Sequence, residues 1–304
     1  MRMQPSRTIS HFAARLNGPA AGRRRNAMRL RRRLIPFALF ALIGSDVAAE
    51  TIIDARYAAA VDRYGHFALG RPHEYARLVA TTNTGREFAL QLPEDEVFED
   101  LAPRIVRLAA DEPEEILAIV SRRDSGSRLV MIRLGSDGLA ISAQSAATGK
   151  PMRWLNPVGV ADLDGDGRAE IAAVITPHIG GPLKIYRQRG ETLVEVAALA
   201  GFSNHVYGSP EQALSTPVSI AGRMHLLVPD ATRLYLRIIA LESGGLVETG
   251  RCALSAPIIG AIKSISPREV SVKVLSGQEV IVPKECLSSA SPTASRNSSP
   301  STSP

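Results

Sequence analysis

The strongest constraint on this chain is a repeated rhythm of short strand-length runs. Segments rich in Val, Ile and Leu alternate with glycine-centred turns from residue 75 to residue 282. Runs this short, bounded by Gly, Asp, Asn and Ser, are β-strands; no helix-rich reading competes. A small residue followed by proline marks the start of successive units: Ala102-Pro103, Asn156-Pro157, Thr216-Pro217 and Ala256-Pro257, in steps of 54, 60 and 40 residues. Each proline leads into a similar series of strand runs. The first unit holds strand runs at 104–108, 116–120, 128–134 and 139–142, with Ser136-Asp137-Gly138 closing a hairpin. The second holds 158–161, 171–175, 183–187 and 193–197, the third 218–221, 225–228, 234–240 and 246–249. The last is short by one strand, with runs at 258–262, 270–275 and 279–282; an earlier unit contains 75–81 and 86–92.

Four antiparallel strands per unit of about 40–50 residues is propeller-blade arithmetic. The expected fold is therefore all-β, a propeller of four to five four-stranded blades, with a pair of β-sandwiches as the alternative. The missing strand of the last unit is expected from residues 51–54, which would close the ring and remove its edges.

The most informative short segment is Asp162-Leu163-Asp164-Gly165-Asp166-Gly167-Arg168-Ala169-Glu170, between two apolar runs. Carboxylates at steps 1, 3 and 5 converge if the chain curls, and Gly167 at step 6 permits the curl. Arg168 at step 7 offers a backbone carbonyl and Glu170 at step 9 a fourth carboxylate. An all-oxygen set suits a hard cation, Ca²⁺ above all. Without one, the clustered acids repel. The loop is not an EF-hand, because step 12 is Ala173 and no helices flank it. An acidic turn that binds nothing is the alternative.

This loop between strands, inside a four-strand repeat, resembles the FG-GAP/VCBS repeats of integrin-like β-propellers. The resemblance is sharp over 157–175 and diffuse over about 103–260, and the literal Phe-Gly and Gly-Ala-Pro signatures are absent. It implies Asp162, Asp164, Asp166, the Arg168 carbonyl and Glu170 as calcium ligands. The equivalent stretch of the preceding unit has Ala109 and Ala110 where acids are wanted, and is expected to bind no metal.

Charge is divided along the chain. The net charge is +6, but residues 1–49 hold ten arginines and one acid, which leaves 26 basic and 29 acidic residues, or −3, from Glu50 onward. A basic nucleic-acid footprint over a folded domain is thereby excluded. The arginines precede a ten-residue apolar run, 34–43, and then small residues up to Ala49. That is the three-part pattern of a secretory signal, too short to span a membrane. Residues 28–49 are read as a signal peptide cleaved before Glu50, residues 1–27 as a mis-assigned start or disordered extension, 50–287 as the folded domain, and 288–304 as a disordered Ser/Pro-rich tail. Export to the periplasm or beyond makes a Cys252–Cys286 disulfide the expected state, with two buried thiols as the alternative.

No His-x-x-x-His pair, nucleophile elbow or phosphate loop occurs. Trp154, His178, Asn204, His205 and Tyr207 fall between strand runs and could line one face, although a tryptophan packed between blades and histidines capping turns is the simpler reading. The functional expectation is an exported, calcium-stabilised propeller, monomeric, that works as a binding or scaffold module for a protein or carbohydrate in the bacterial envelope. An enzyme with a site in the central channel, or a structural or adhesion component of an envelope complex, are the alternatives.

Overall fold

The computed structural model describes residues 49–288. The expectations for 1–27, for the signal segment up to residue 48 and for the tail after Ser288 lie outside the described residues. Within them the chain is all-β: nineteen strands and one 3₁₀ turn. No helix among the described residues is long and apolar enough to cross a membrane.

The strands are β1 (Ile52–Val61), β2 (Glu74–Thr82), β3 (Glu87–Gln91), β4 (Glu96–Phe98), β5 (Arg104–Val106), β6 (Glu115–Arg122), β7 (Gly126–Gly135) and β8 (Gly138–Ser145). They continue as β9 (Leu155–Ala161), β10 (Glu170–Ile175), β11 (Gly181–Arg189), β12 (Thr192–Phe202), β13 (Thr216–Ile220), β14 (Arg223–Pro229), β15 (Tyr235–Glu242) and β16 (Gly245–Ala253). The last three are β17 (Ile258–Ser266), β18 (Glu269–Val274) and β19 (Gly277–Ile281).

Antiparallel meanders recur: β5 to β8, β9 to β12 and β13 to β16 each run in chain order, and β17 to β19 form a three-stranded sheet. Two additional pairings fuse the first three units into one twelve-stranded mixed sheet. β4 bridges β2 to β6, and the tips of β8 and β12 pair in parallel through Thr192–Gln144 and Leu193–Ser145. The sheet does not close. Contrary to expectation, β1 leaves the last unit unfinished: it pairs with β2 over its whole length, from Ile52–Thr82 to Val61–Glu74. The physical reason is proximity along the chain and the buried side of β2, where Leu78 and Ala80 share a cluster with Ile52. A local antiparallel partner costs less loop-closure entropy than one two hundred residues away.

The central strands are buried on both sides, and the two-residue period of a strand sends alternate side chains into different layers. On β6, Ile116, Ala118 and Val120 pack with Leu78, Phe98, Val130 and Ile132. Its intervening residues Leu117 and Ile119 pack with Leu129, Met131, Trp154, Ile171 and Ala173. On β10 the other side, Ala172 and Val174, meets Leu183, Ile185, Leu226, Val228 and Ile239. Leu227, Leu236 and Ile238 then meet Ile258, Val270, Val272 and Val274. Four buried layers thus join five successive strand units, the first three of them parts of the twelve-stranded sheet. Among the described residues no such cluster joins the last sheet to the first. Full burial of a Leu, Ile or Val stabilises by about 1.5–3 kcal/mol, so these layers supply most of the driving force.

The segment 203–215, between β12 and β13, crosses the molecule and ties the sheets at one end. Ser203 N–H donates to Pro229 O at 3.1 Å, Gly208 N–H to Ala68 O at 2.8 Å, and Ala213 O accepts from Ile262 N–H at 2.9 Å. Gln212 Nε2 donates to Asp100 Oδ1 at 2.8 Å. Asn156 and Asn204 exchange side-chain-to-backbone hydrogen bonds at 3.1 and 3.3 Å, both fully buried. The approach to 62–73 is tight: a Cβ on Gly70, at φ +70°, would stand 2.3 Å from Gly208 O. Only glycine accepts both that backbone and that contact. Near the C-terminus a disulfide joins Cys252 on β16 to Cys286, with Cα atoms 5.1 Å apart, and Leu287 bridges Gly250.

Candidate functional site

Two constellations stand out. The first is the turn joining β9 to β10. These strands are held in register by Glu170–Ala161 and Ile171–Val160 pairing, so the eight residues between them must reverse direction. The aspartates make the reversal. Asp162 Oδ1 accepts the N–H groups of Gly165 at 2.8 Å and Asp166 at 3.1 Å, and its Oδ2 accepts Gly167 N–H at 3.0 Å. Asp166 Oδ1 accepts Arg168 N–H at 2.8 Å. These Asx turns wrap the backbone around the carboxylates. As a result Asp162, Asp164 and Asp166 each place an oxygen within 4.8 Å of the others. An ionised carboxylate has about four lone-pair sites, so the turn hydrogen bonds leave capacity for a cation. The donor set is all oxygen, which fits Ca²⁺.

Glu170, expected as a fourth carboxylate, is engaged elsewhere, and the Arg168 side chain points to the neighbouring loop while its carbonyl is the expected donor. The Glu170 carboxylate is 1 % exposed and outside the aspartate group. It accepts Leu163 N–H at 2.9 Å and Arg187 Nε–H at 2.7 Å. Burial pushes its pKa up, against the lowering effect of those donors. Its direction follows from its position: the first residue of β10 faces inward, where it brackets the loop from below. Arg187, on β11, also donates to Asp164, so a guanidinium balances part of the loop's charge. The Arg168 guanidinium meets Glu112 Oε1 at 2.5 Å, in the acid-poor loop of the preceding unit. That loop lies alongside, through Ala169 N–H to Leu108 O at 2.7 Å. Two more of its acids are held by arginines: Glu114 by Arg107 and Glu115 by Arg133.

The second constellation is a buried hub of aromatic and imidazole rings around the crossing segment. Trp154, which precedes β9, is fully buried, and its Nε1–H donates to Glu99 O at 2.9 Å. Its ring lies 4.9 Å from that of His205 and 6.3 Å, parallel, from that of His178. Tyr207 packs edge-on 5.3 Å from His178, and its hydroxyl donates to His66 O at 2.9 Å. Four of the five residues expected to line a face therefore do meet: Trp154, His178, His205 and Tyr207. Trp154 and His205 are fully buried, His178 is half-buried, and Tyr207 is exposed, at 57 %. Asn204, the fifth, is buried beside them, its amide donating to Ser215 Oγ at 2.9 Å.

His66 and Glu99 belong to this hub and are not evident from the sequence. His66 Nδ1 stands 2.5 Å from Glu99 Oε1, both buried. The other Glu99 oxygen accepts from Ser121 and from Ser127, the latter at 3.2 Å. The polar-aromatic run Arg63-Tyr64-Gly65-His66-Phe67 is the one hint in the residue order. Burial raises the Tyr64 hydroxyl to about 12, helped by the charge of Glu99. Burial lowers His178 to about 4, with His205, His66 and Arg153 adding to the effect, and lowers His205 to about 4 as well. Both rings are thus neutral at pH 7. His205 Nε2 lies 2.9 Å from Ser209 O, and since a carbonyl only accepts, the proton is on Nε2.

A groove of about 860 Å³ lies elsewhere, between β13 and the C-terminal strands, lined by Ile220, Arg268, Glu269, Lys284 and Glu285 among others. None of the loop aspartates or hub rings borders it. Neither a protein-family model nor a curated protein matches this chain.

Proposed function

We propose that this chain is an exported, calcium-stabilised β-propeller of the FG-GAP/VCBS type, with its five successive strand units as blades, acting as a binding or scaffold module for a protein or carbohydrate ligand in the bacterial envelope. The observation that carries the reading is the convergence of Asp162, Asp164 and Asp166 within 4.8 Å at a strand-to-strand turn. Three meanders of four strands, stacked face to face, supply the matching context. In this reading Asp162, Asp164 and Asp166 hold the cation, while Glu170 and Arg187 position the loop. The cation supplies charge neutralisation, and the crossing segment 203–215 holds the sheets together in place of a shared closing strand.

Thermal melting of the full chain in calcium and in chelator tests this. Calcium at one hundred times its Kd stabilises a binding-competent fold by about 2.7 kcal/mol, a rise of several degrees. An unchanged Tm at millimolar Ca²⁺ would refute the metal reading. The binding role is tested by glycan-array and envelope-protein binding in both buffers, with capture lost in chelator as the expected result.

A further inference from the structure

We infer that His66, His178 and His205 form a second metal site, separate from the aspartate loop, for a divalent transition ion of the Zn²⁺/Cu²⁺ class. The three imidazoles arrive from three segments: 62–73, the turn after β10, and the crossing segment. Ring centroids are 5.8 Å apart for His178 and His205 and 6.3 Å for His66 and His178. With metal–nitrogen bonds of about 2.0–2.1 Å, two imidazoles on one tetrahedral ion have centroids about 5.2 Å apart. Binding therefore asks His178 to close by about 0.5–1 Å on each of its two neighbours, and His66 and His205 to approach one another across it. Their nitrogens are not yet gathered; among the described residues only the aspartate group has its ligand atoms within 4.8 Å.

The surroundings are those of a metal-ligating histidine set. Such histidines have one nitrogen fixed by a carboxylate or carbonyl, which orients the ring and leaves the other nitrogen free to bind. Glu99, itself anchored by Ser121 and Ser127, does this for His66 through Nδ1. Ser209 O does it for His205 through Nε2. The complementary nitrogen of His205, Nδ1, is buried with no hydrogen-bond partner, in a residue with no exposed surface. His178 Nδ1 is buried and unpartnered as well. Two neighbouring rings that each bury an unsatisfied nitrogen carry a desolvation cost, which a shared Lewis acid would offset. Imidazole donors favour zinc, copper or nickel over calcium, so the two sites would divide ions by ligand chemistry. Tyr207 packs edge-on against both His66 and His178 and is itself exposed.

Trp154 is the chain's one tryptophan and touches two of the three rings, so it reports directly on the site. The full chain, in millimolar Ca²⁺, is titrated with Cu²⁺ and with Zn²⁺. One equivalent of Cu²⁺ is expected to quench Trp154 emission by more than half; Zn²⁺ alone should leave emission unquenched and raise the Tm by several degrees, and Zn²⁺ added first should shift the Cu²⁺ quenching to higher concentration, since copper binds imidazole sites more tightly than zinc. His178→Ala combined with His205→Gln should abolish these responses and retain the calcium response, whereas His73→Asn and His225→Asn should change neither. Absence of saturable quenching, or equal quenching in the double variant, overturns the proposal. Should the double variant not fold, the electron paramagnetic resonance spectrum of the Cu²⁺-loaded unaltered chain decides: three nitrogen donors support the site, and oxygen-only or single-nitrogen coordination refutes it.

Discussion

Asp162, Asp164 and Asp166 sit within a single turn, and each is at least partly open to solvent. The hub rings come from four segments, and the hydrogen bond from Tyr207 to His66 spans 141 positions of chain. The turn is organised by its own backbone, through side chains that accept N–H groups two to five residues on. The hub exists only once the sheets have stacked and the 203–215 segment has crossed them. A contiguous site can therefore be lost without loss of the fold, while the dispersed one cannot be altered without touching the packing that assembles it.

That contrast is broken or sharpened most directly at Trp154. Trp154→Ala removes a fully buried ring from the layer between β6 and β10 and frees Glu99 O. Urea unfolding should show a loss of about 3–5 kcal/mol; a loss below about 1 kcal/mol would mean the hub does not brace the sheets. Next comes pH. His178 and His205 have folded pKa values near 4, against 6.5 for the ordinary side chain. Between those values the unfolded chain binds more protons, so stability rises with pH through that window and is lost as pH falls from 6.5 toward 4. In chelator, the loss from pH 7 to 4.5 should be about 2 kcal/mol for the fully buried His205 and smaller for the half-buried His178, whose charge solvent partly screens. Replacing both rings by Asn should flatten this part of the profile, and an unaltered slope would show that the rings are not the groups responsible.

Smaller effects belong to the loop. Glu170→Gln removes the charged partner of Arg187 while keeping an acceptor for Leu163 N–H, and should cost about 1–2 kcal/mol by denaturant titration. Asp164→Ala should change stability in chelator by less than about 1 kcal/mol, as for an exposed pair, yet eliminate the calcium-dependent rise in Tm. An Asp164→Ala chain that still responds to calcium would place the ion elsewhere. Arg187→Gln sharpens the point: without the guanidinium beside Asp164, the calcium-dependent shift should grow.

Much of the fold is legible in the residue order because strands and turns are short-range devices. The continuous apolar runs of β6, β10 and β14, the Asp-Gly turns and the proline at the head of each unit all act within a few residues. The aspartate turn is legible for the same reason, since the spacing of its acids is also the spacing of the atoms that meet. β4 is not: Glu96–Phe98 is three residues long and comes after Pro93-Glu94-Asp95, which reads as loop. Nor is the partner of β1, because its apolar residues suit either end of the stack and only the competition between a near and a far sheet decides. The inward turn of Glu170 follows from the register of β9 and β10, which spacing alone does not fix.

By itself, then, the sequence determined an all-β chain of repeating antiparallel units with one acidic turn, because these depend on the two-residue period of a strand and on local hydrogen bonding. Only the tertiary structure decided that the units fuse through β4 and the β8–β12 contact, that β1 stays with β2, and that His66, Glu99, Trp154, His178 and His205 share one interior. Those outcomes depend on which buried faces meet, a long-range choice set by packing and chain closure rather than by any local pattern.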